Sequence, residues 1–407
     1  MASQFWLGIK IRLYWLIITF PKRAAYRLWY LLCLHLPLEN KVIASTFKGK
    51  KYGDNPQFIY EELHRQNPSL HLLWRKDETM EYLLPNWVKS IEYTQNFSSI
   101  YHLATAKVVI DTHRFPVWIK KRRGQLFIET WHGGLGIKKI EADVPAFKRL
   151  DWLMSEVRHT CQLSDVFISQ SEHLSKIYRR AFGYNGQIFK CGFPKNDCLF
   201  NDTENVKKKV RDILSIPESK RIFLYVPSFR DYFYSKVDTV AYNVDFPLLR
   251  KVLLKRFGCD WTIVVRWHPL FVDELNQCAV ENAMIVNATD YPDIQELLMA
   301  SDIVMSDYSS CIFDAALLDI PCFTFATDFD EYKAQRGVYY EMDELPFPYA
   351  RNNEELRKNI ENYDHEAYLK HWYAFKDRMG LYEPGNASEV IAQKILEFVE
   401  TGKTNWI

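Results

Sequence analysis

The sequence predicts an α/β fold made of two parallel-sheet halves that face a cleft. At 407 residues, the chain is longer than one ordinary hydrophobic core requires. From residue 41 onward, short apolar segments alternate with helical patterns; this alternation stops over 201–217 and then begins again. Apolar strands between helices are typical of parallel sheets covered on both faces. Ligands of such proteins bind at the carboxyl ends of strands and between domains, so we expect the functional site there.

The composition is that of a globular protein and disfavours some functional classes. Hydrophobic residues make up 48% of the chain and charged residues 25%. A formal net charge of +1 argues against a general nucleic-acid binder. The eight cysteines are scattered and form no Cys-x-x-Cys pair, so we expect reduced thiols and no metal centre.

The segment over 1–38 is basic and aromatic. It contains Lys22, Arg23 and Arg27 but no acidic residue. The uncharged run over 13–21 is too short to span a bilayer, and no small-residue cleavage site follows it. We therefore expect amphipathic helices that associate with an anionic membrane surface. The alternative is an amphipathic helix docked on the protein itself.

The first half, assigned to 39–200, begins with the predicted sheet. We predict strands over 41–47, 71–75, 88–93, 108–112, 126–130, 166–169 and 188–191, with helices over 56–67 and 171–182.

The second half, assigned to 201–352, begins with a polar, lysine-rich stretch over 201–211 that we interpret as a linker. We predict strands over 222–226, 261–266, 284–286, 303–306 and 322–325, with helices over 247–257, 292–300 and 310–318. The remaining residues, 353–407, are expected to be helical, notably over 353–362 and 387–400.

The most informative segment is 128–134, Ile-Glu-Thr-Trp-His-Gly-Gly, in which an apolar strand leads directly into a histidine. The glycines after His132 allow a sharp turn and a close approach by a substrate. Lys138 and Lys139 follow and bring cations near the imidazole. An acid/base group beside cations suggests phosphate chemistry. For this histidine alone, a structural residue that caps a turn is the favoured alternative, so other segments must decide.

Two further strand ends carry side chains suited to phosphate. Arg230 follows the strand that ends at Val226, and Arg266 and His268 follow the next strand. Arginine binds phosphate in a bidentate manner, and a neighbouring histidine can donate to a phosphate oxygen. The alternative for each arginine is a solvated or salt-bridged side chain.

Another strand end leads into a helix and offers a diphosphate site. Ser309 and Ser310 stand between the strand over 303–306 and the helix that follows, where hydroxyl and backbone N–H groups suit a phosphate. Asp314 is positioned to accept from a ribose hydroxyl. The alternatives are a plain N-cap for the serines and a helix-dipole partner for the aspartate. Glycine-rich nucleotide motifs are absent, so a nucleotide would have to bind through these strand ends.

A basic and aromatic patch precedes the histidine strand. Its basic residues are Arg114, Lys120, Lys121, Arg122 and Arg123, and they surround Phe115, Val117, Trp118 and Ile119. We hypothesise that it contacts the membrane leaflet or an anionic acceptor. The alternative is a solvated loop or hairpin.

Five ordered motifs resemble those of the CDP-glycerol glycerophosphotransferase family. They are S-T-F-x-G-K-x-Y-x-D-N-P at 45–56, T-W-H-G at 130–133, G-F-P-K-N-D at 192–197, R-x-H-P at 266–269 and D-Y-S-S at 307–310, the last followed by Asp314. The resemblance covers nearly the whole chain after the N-terminal segment. The sequence departs from the family pattern at Lys195, where arginine is usual, at Gly134, where threonine is common, and at Phe229, where tryptophan is usual.

The resemblance implies a GT-B architecture, with two Rossmann-like domains across a cleft, and a peripheral position on the cytoplasmic face of a bacterial cell membrane. It implies transfer of a polyol phosphate, most readily glycerol phosphate, from a CDP-linked donor to a hydroxyl of a lipid-linked acceptor, with release of CMP. The polymer would be a teichoic acid or a capsule. CDP-glycerol would be the donor substrate, with no metal or other cofactor required.

The same resemblance assigns roles to the candidate residues. His132 is expected to act as the general base and His268 as a second catalytic residue. The residues expected to bind the donor are Arg230, Arg266, Ser309, Ser310 and Asp314. Lys138, Lys139 and the patch over 120–123 are assigned to the acceptor or the membrane.

Three alternatives stay open. A GT-B glycosyltransferase that uses a nucleotide sugar has the same two-domain cleft. A ribitol-phosphate transferase that uses CDP-ribitol differs only in the polyol. A non-catalytic, membrane-associated scaffold would keep the fold but show no nucleotide turnover.

Overall fold

The computed structural model describes residues 20–201, 203–228, 230, 243–267 and 285–406. These residues form two parallel sheets with helices on both faces, as the alternating sequence pattern predicts. The prediction of an α/β fold with two Rossmann-like, parallel-sheet halves is confirmed.

The first half contains a seven-stranded parallel sheet with the order β3-β2-β1-β4-β5-β6-β7. Its strands are β1 (Glu39–Ala44), β2 (His71–Lys76), β3 (Lys89–Glu92), β4 (Ala106–Asp111), β5 (Leu126–Glu129), β6 (Val166–Ser169) and β7 (Gln187–Lys190). Its helices are α1 (Phe20–Cys33), α2 (Asp54–Gln66), α3 (Phe97–Thr105), α4 (Asp151–Leu163) and α5 (Glu172–Ile177). β1 and β4 are neighbours in the sheet, and the other strands are added outside them. β4 and β5 pair in parallel, so their carboxyl ends lie side by side.

In the described part of the second half, the sheet is six-stranded with the order β10-β9-β8-β11-β12-β13. Its strands are β8 (Lys220–Val226), β9 (Asp260–Val265), β10 (Ile285–Asn287), β11 (Ile303–Ser306), β12 (Cys322–Phe325) and β13 (Tyr349–Ala350). The helices are α6 (Thr203–Leu214), α7 (Phe246–Phe257), α8 (Ile294–Ala300), α9 (Cys311–Ala316), α10 (Phe329–Gln335), α11 (Asn353–Glu361), α12 (His365–Met379) and α13 (Ala387–Thr401).

The stretch over 201–211 is a helix rather than the predicted linker. Most of it lies within α6, whose Val210 is buried and whose Lys209 pairs with Glu296 at 2.6 Å. Val206, Val210 and Leu214 recur at four-residue intervals and pack on the core of the second half, so a helical pattern is present between the lysines.

The last helix returns to the first half and ties the two halves together. Ile391 and Ile395 of α13 are fully buried in the core of the first half. By contrast, Phe375 of α12 stacks on Phe313 in the second half, with ring centroids 5.6 Å apart. The chain therefore passes from the first half to the second and back again, and these two connections hold the halves on either side of the cleft.

α1 is amphipathic, and it packs on the first half through one face. Tyr26, Tyr30 and Cys33 are buried, whereas Leu28 and Leu32 are 60% and 55% exposed. The predicted segment over 1–19 lies outside the described residues. Among the residues that the structure describes, no helix is long and apolar enough to cross a membrane.

Candidate functional site

A sharp turn after β5 places His132 in the cleft. Trp131 adopts a left-handed φ of 53°, and its N–H donates to buried Glu129 at 2.9 Å. The side-chain amide of Asn55 donates to the backbone oxygens of Thr130 and Trp131 at 3.2 and 3.3 Å. The motif at 45–56 thus holds the turn that presents the histidine.

Of the two glycines after His132, only Gly134 closely approaches a neighbouring side chain. A Cβ on Gly134 would lie 2.5 Å from Oε1 of Gln170, so a larger residue would force the glutamine away. A Cβ on Gly133 would point across the cleft, 4.0 Å from Oγ of Ser310. The glycines therefore bring the histidine turn close to both halves.

The hydrogen bond made by His132 fixes its tautomer. Nδ1 lies 3.0 Å from the backbone oxygen of Thr112, and because a carbonyl only accepts, Nδ1 carries the proton. Nε2 is then an acceptor. Burial lowers the pKa of His132, although the Asp54 carboxylate acts in the opposite direction. The imidazole is therefore neutral at physiological pH and able to take a proton at Nε2.

Two cavities adjoin His132. The first, which we call the His113 cavity, has a volume of about 440 Å³ and is lined by His113, Arg114 and Glu141 together with Arg336 of the second half. The second, the Arg266 cavity, has a volume of about 460 Å³. Four residues line both cavities: His132, Lys138, Ser309 and Ser310. The imidazole thus stands where the two cavities meet, at the carboxyl ends of both sheets.

The Arg266 cavity is rich in cations. Its described lining contains Lys51, Lys138, Lys195 and Arg266 against the carboxylates of Asp54, Asp293 and Asp314. Burial lowers the pKa of Lys51 and of Arg266, while nearby carboxylates oppose this shift. Desolvated cations of this kind favour an anionic ligand such as a diphosphate. In the part of the chain described, no group of three or more His, Cys, Asp or Glu side chains is placed to hold a metal ion.

Asp314 lines the Arg266 cavity but is bound to the first half. Its carboxylate forms an ion pair with Lys195, and the two side chains are only 2% and 8% exposed. Asn196 donates to the other carboxylate oxygen at 3.2 Å. Burial disfavours the charge on Lys195, but Asp314 and Asp54 outweigh it and raise the lysine's pKa. The ion pair links the two halves beside the cleft; the predicted ribose contact of Asp314 stays a prediction.

Arg230 lies between two carboxylates of its own half. It donates to Asp307 at 2.6 Å and to Asp328 at 2.7 and 2.9 Å. Its guanidinium also stacks over the ring of Tyr308, 4.6 Å from the centroid. Arg230 is not among the described residues that line the two cavities. A diphosphate would have to draw it away from these carboxylates.

The structure separates the two lysines that follow the histidine turn. Lys138 lines both cavities. Lys139 packs on Gly337, where an added Cβ would lie 2.8 Å from the lysine's Cδ, and its N–H donates to the Gly337 oxygen at 3.1 Å. Only Lys138 is therefore placed to meet a ligand in the cleft.

The basic patch over 120–123 lies in a loop against α1. The Tyr30 hydroxyl donates to the backbone oxygen of Lys120 at 2.6 Å. Lys121 pairs with a carboxylate at 2.6 Å, and Arg122 donates to a backbone oxygen at 3.1 Å. The side chains of Lys120 and Arg123 are exposed. Half of the patch thus stabilises the fold and half faces solvent.

Several residues of the cleft were missed by sequence reasoning, and His268 lies outside the described residues. Lys51 and Asp54 belong to the motif at 45–56, which was matched as a motif but given no site role. His113 follows β4 as His132 follows β5, so a search of all strand ends would have found it. Asp293 caps α8 by accepting from a backbone N–H at 2.9 Å, and its position in the cleft has no sequence signal.

Two Rossmann-like halves, a neutral histidine and a cation-rich cavity define a two-domain α/β protein with a cleft suited to a phosphorylated ligand. Residues 28–397 match the model of the family described as CDP-Glycerol:Poly(glycerophosphate) glycerophosphotransferase. The chain belongs to this family, and the resemblance drawn from the sequence motifs is confirmed.

The relatives of this chain act in teichoic acid synthesis. The chain is 29% identical over 376 residues to the teichoic acid glycerol-phosphate transferase of Staphylococcus aureus (strain NCTC 8325 / PS 47), covering 89% of this chain and 94% of that one. It is 28% identical over 386 residues to the teichoic acid poly(glycerol phosphate) polymerase of Bacillus subtilis (strain 168), covering 91% of this chain and 51% of that one. The chain thus spans about half the length of this polymerase and of the Staphylococcus epidermidis polymerase that it also matches.

A solved structure of the wall teichoic acid polymerase TagF shares the fold. It superimposes with a TM-score of 0.81 at 26% identity and covers 98% of each chain. A putative UDP-N-acetylglucosamine 2-epimerase from Listeria monocytogenes, at 13% identity and a TM-score of 0.51, shares the fold alone.

Proposed function

We propose that this protein transfers glycerol phosphate from CDP-glycerol to a hydroxyl group of a lipid-linked acceptor and releases CMP, within teichoic-acid or capsule-type polymer synthesis. The observation that carries the proposal is a neutral His132 at the edge of a cation-rich cavity, in a chain of this family. A histidine-to-asparagine variant of TagF that was soaked with CDPG superimposes on this chain with a TM-score of 0.80 at 25% identity, which supports the donor assignment.

In the proposed reaction, the acceptor oxygen attacks the β-phosphorus of the donor. Nε2 of His132 takes the hydroxyl proton as the new P–O bond forms. The bond from the β-phosphorus to the bridging oxygen breaks, and its electron pair leaves with CMP. General-base catalysis of this kind contributes about 10² to 10⁴ in rate.

We assign the donor diphosphate to the Arg266 cavity and the acceptor to the His113 cavity. The cations of Lys51 and Arg266 would offset the negative charge that grows on CMP as the bond breaks. Ser309 and Ser310 stand between the two cavities, where the transferred phosphate would lie. His268 keeps its proposed catalytic role on the strength of the R-x-H-P motif.

We also propose that α1 lies on the cytoplasmic face of an anionic membrane. The helix exposes Leu28, Leu31 and Leu32 and carries Arg23 and Arg27 without any acidic side chain. Exposed leucines beside arginines are the pattern of an interfacial helix. A lipid-linked acceptor would then approach the cleft from the α1 side of the first half.

Nucleotide release tests the proposed function directly. The protein is incubated with an acceptor and with CDP-glycerol, CDP-ribitol or UDP-sugars in turn, and the free nucleotide is measured. We expect CMP from CDP-glycerol. Release of UDP would replace the proposal with sugar transfer, and the absence of any release would favour a scaffold.

The incubation with CDP-ribitol determines which polyol is transferred. The teichoic acid ribitol-phosphate primase of Bacillus spizizenii (strain ATCC 23059 / NRRL B-14472 / W23) is also 28% identical to this chain, over 394 residues. CMP release from CDP-ribitol alone would therefore keep the reaction class but overturn glycerol as the transferred group.

A further inference from the structure

A third cavity lies between α1 and the carboxyl ends of β2 and β3, outside the catalytic cleft. It has a volume of about 470 Å³. Its charged and aromatic lining consists of Arg23, Arg27, Arg75, Tyr93, Trp118 and Glu156, and we call this cavity the arginine pocket. Three guanidinium groups against one carboxylate give this pocket a net positive charge.

Arg75 is buried at the base of the pocket with its hydrogen-bonding capacity only partly used. Its side chain is 9% exposed and stacks over the ring of Tyr93, 4.3 Å from the centroid. Its contacts with the Asp111 carboxylate and the Tyr93 backbone oxygen are long, at 3.7 and 3.3 Å. Its Nε is buried and makes no hydrogen bond among the described residues. A buried, under-satisfied guanidinium favours an incoming oxyanion.

Part of the lining of the arginine pocket is apolar, and we call this part the apolar wall. Ile100 and Leu103 of α3 line it together with Trp118 and Ile119. The helix that supplies Arg23 and Arg27 also exposes its leucines to solvent. A cavity lined both by guanidinium groups and by hydrocarbon fits a phosphate group esterified to an apolar chain.

Arg114 connects the arginine pocket to the cleft. Its Nη1 donates to Glu141, a residue of the His113 cavity, at 2.5 Å. Its Nε lies 4.0 Å from Glu156, a residue of the arginine pocket. Arg114 therefore lies between a residue of the arginine pocket and a residue of the cavity to which we assign the acceptor.

We infer that the arginine pocket binds the phosphate of an anionic lipid, with the lipid chain against the apolar wall. This inference rests on the proposed function, because it places a lipid phosphate beside the cavity assigned to the acceptor. Two lipids share this chemistry: the phosphate-bearing anchor of the acceptor and the bulk phospholipid of the membrane.

Binding of a monomeric lipid tests the pocket without a membrane. Isothermal calorimetry measures the affinity of the full chain for dihexanoyl phosphatidic acid below its critical micelle concentration, with dihexanoylglycerol as the phosphate-free comparison. We expect binding that needs the phosphate and weakens about tenfold or more in Arg27→Gln. Lys22→Gln is the matched control, because it removes the same charge from the same exposed helix but does not line the pocket.

Glu156→Gln is an independent variant that should change the affinity for the lipid phosphate in the opposite direction. Loss of the only carboxylate in the described pocket lining should strengthen binding of the lipid phosphate severalfold. Equal weakening by Lys22→Gln and by the arginine variant would overturn the inference, because it would indicate charge attraction without a site. Absence of phosphate-dependent binding, or weaker binding in Glu156→Gln, would also overturn it.

Two further arms identify the source of the phosphate. If it belongs to the acceptor, the arginine variant raises KM for a lipid-linked acceptor relative to KM for a soluble acceptor that lacks the lipid phosphate. If it belongs to bulk phospholipid, that ratio stays constant, whereas flotation with phosphatidylglycerol vesicles weakens more than in Lys22→Gln. Either result supports binding of a lipid phosphate in the pocket. If the arginine variant changes neither the KM ratio nor vesicle flotation, the inference is overturned. CMP release with the soluble acceptor reports on the proposed function separately.

Discussion

The Nδ1 atom of His132 lies 3.0 Å from the backbone oxygen of Thr112, so the strand end of β4 sets the tautomer of the histidine that follows β5. The two strands are neighbours in the sheet, with Asp111 opposite Glu129. The side-by-side order of β4 and β5 is therefore what fixes Nε2 as a proton acceptor. A backbone carbonyl performs this task here, so no side-chain substitution at position 112 removes it.

Replacement of His132 should remove catalysis while leaving the donor site intact. We expect His132→Ala to lower kcat by about 10² to 10⁴, because the acceptor hydroxyl loses its base, with donor affinity changed by less than about threefold. Transfer assays and calorimetry with CDP-glycerol measure the two effects. His71→Ala, an exposed position at the start of β2, is the control. Near-full activity of His132→Ala would exclude His132 as the base.

The pH dependence should report a histidine with a lowered pKa. The base is active when neutral, so activity is present above the pKa of His132 and is lost as pH falls through it. Since burial lowers this pKa, the acidic limb of kcat/KM should have its midpoint below the usual value of about 6.5. An acidic limb with a midpoint above about 7 would contradict a buried neutral imidazole.

The Lys195–Asp314 pair should contribute strongly to stability. Lys195→Met leaves the buried Asp314 carboxylate without its cation and should lower the free energy of unfolding by about 3–5 kcal/mol, as measured in urea. Lys195→Arg, which restores the usual residue of the family motif, should retain most of the stability. Lys207→Met breaks an exposed pair with Glu204 and should cost at most about 1 kcal/mol. Similar losses in both methionine variants would contradict the role of burial.

The order of strands β1 to β12 could be predicted from the sequence, because most of these strands carry their own apolar pattern. The helices α3, α4 and α10 and the two-residue strand β13 were not predicted. Apolar runs bounded by turns identified most strands, and the strand ends identified His132, Ser309 and Ser310 as cleft residues. Strands of parallel sheets end at one edge, so this local information was enough to bring these side chains together. The helix α6 was missed because the prediction gave weight to its lysines and not to Val206, Val210 and Leu214, which form its buried face.

The pairing of charges could not be predicted, because the partners are distant in the chain. Arg230 and Asp328 are 98 residues apart, and Lys195 and Asp314 are 119 apart. Nothing in the sequence distinguishes an arginine that faces a ligand from one that faces a carboxylate. The assignment of Arg230 to the diphosphate is therefore the site prediction that the structure supports least.

The two arginines predicted to bind the donor should behave differently. Arg266 lines the cleft, so Arg266→Gln should weaken CDP-glycerol binding about 10- to 100-fold in calorimetry, with a small change in melting temperature. Arg230 is held by two carboxylates, so Arg230→Gln should lower the melting temperature by several degrees, about 2–4 °C for each kcal/mol lost. An equal loss of donor affinity in both variants would instead support the assignment of Arg230 to the diphosphate site.

Membrane association should depend on the exposed half of the basic patch and on α1. Lys120→Glu/Arg123→Glu reverses two exposed charges and should weaken binding to anionic vesicles about tenfold or more in flotation assays. Leu28→Ser/Leu32→Ser removes apolar contact and should weaken binding to anionic and neutral vesicles alike.

The control for these variants reverses charge elsewhere on the surface. Lys251→Glu/Lys370→Glu changes two exposed lysines on α7 and α12 of the second half. If the membrane contacts the first half, this control should bind anionic vesicles nearly as well as the unmodified protein, because only charges within about 8–10 Å of the surface interact strongly at physiological salt. Equal losses in the control and in Lys120→Glu/Arg123→Glu would mean that net charge, rather than the α1 surface, determines membrane binding.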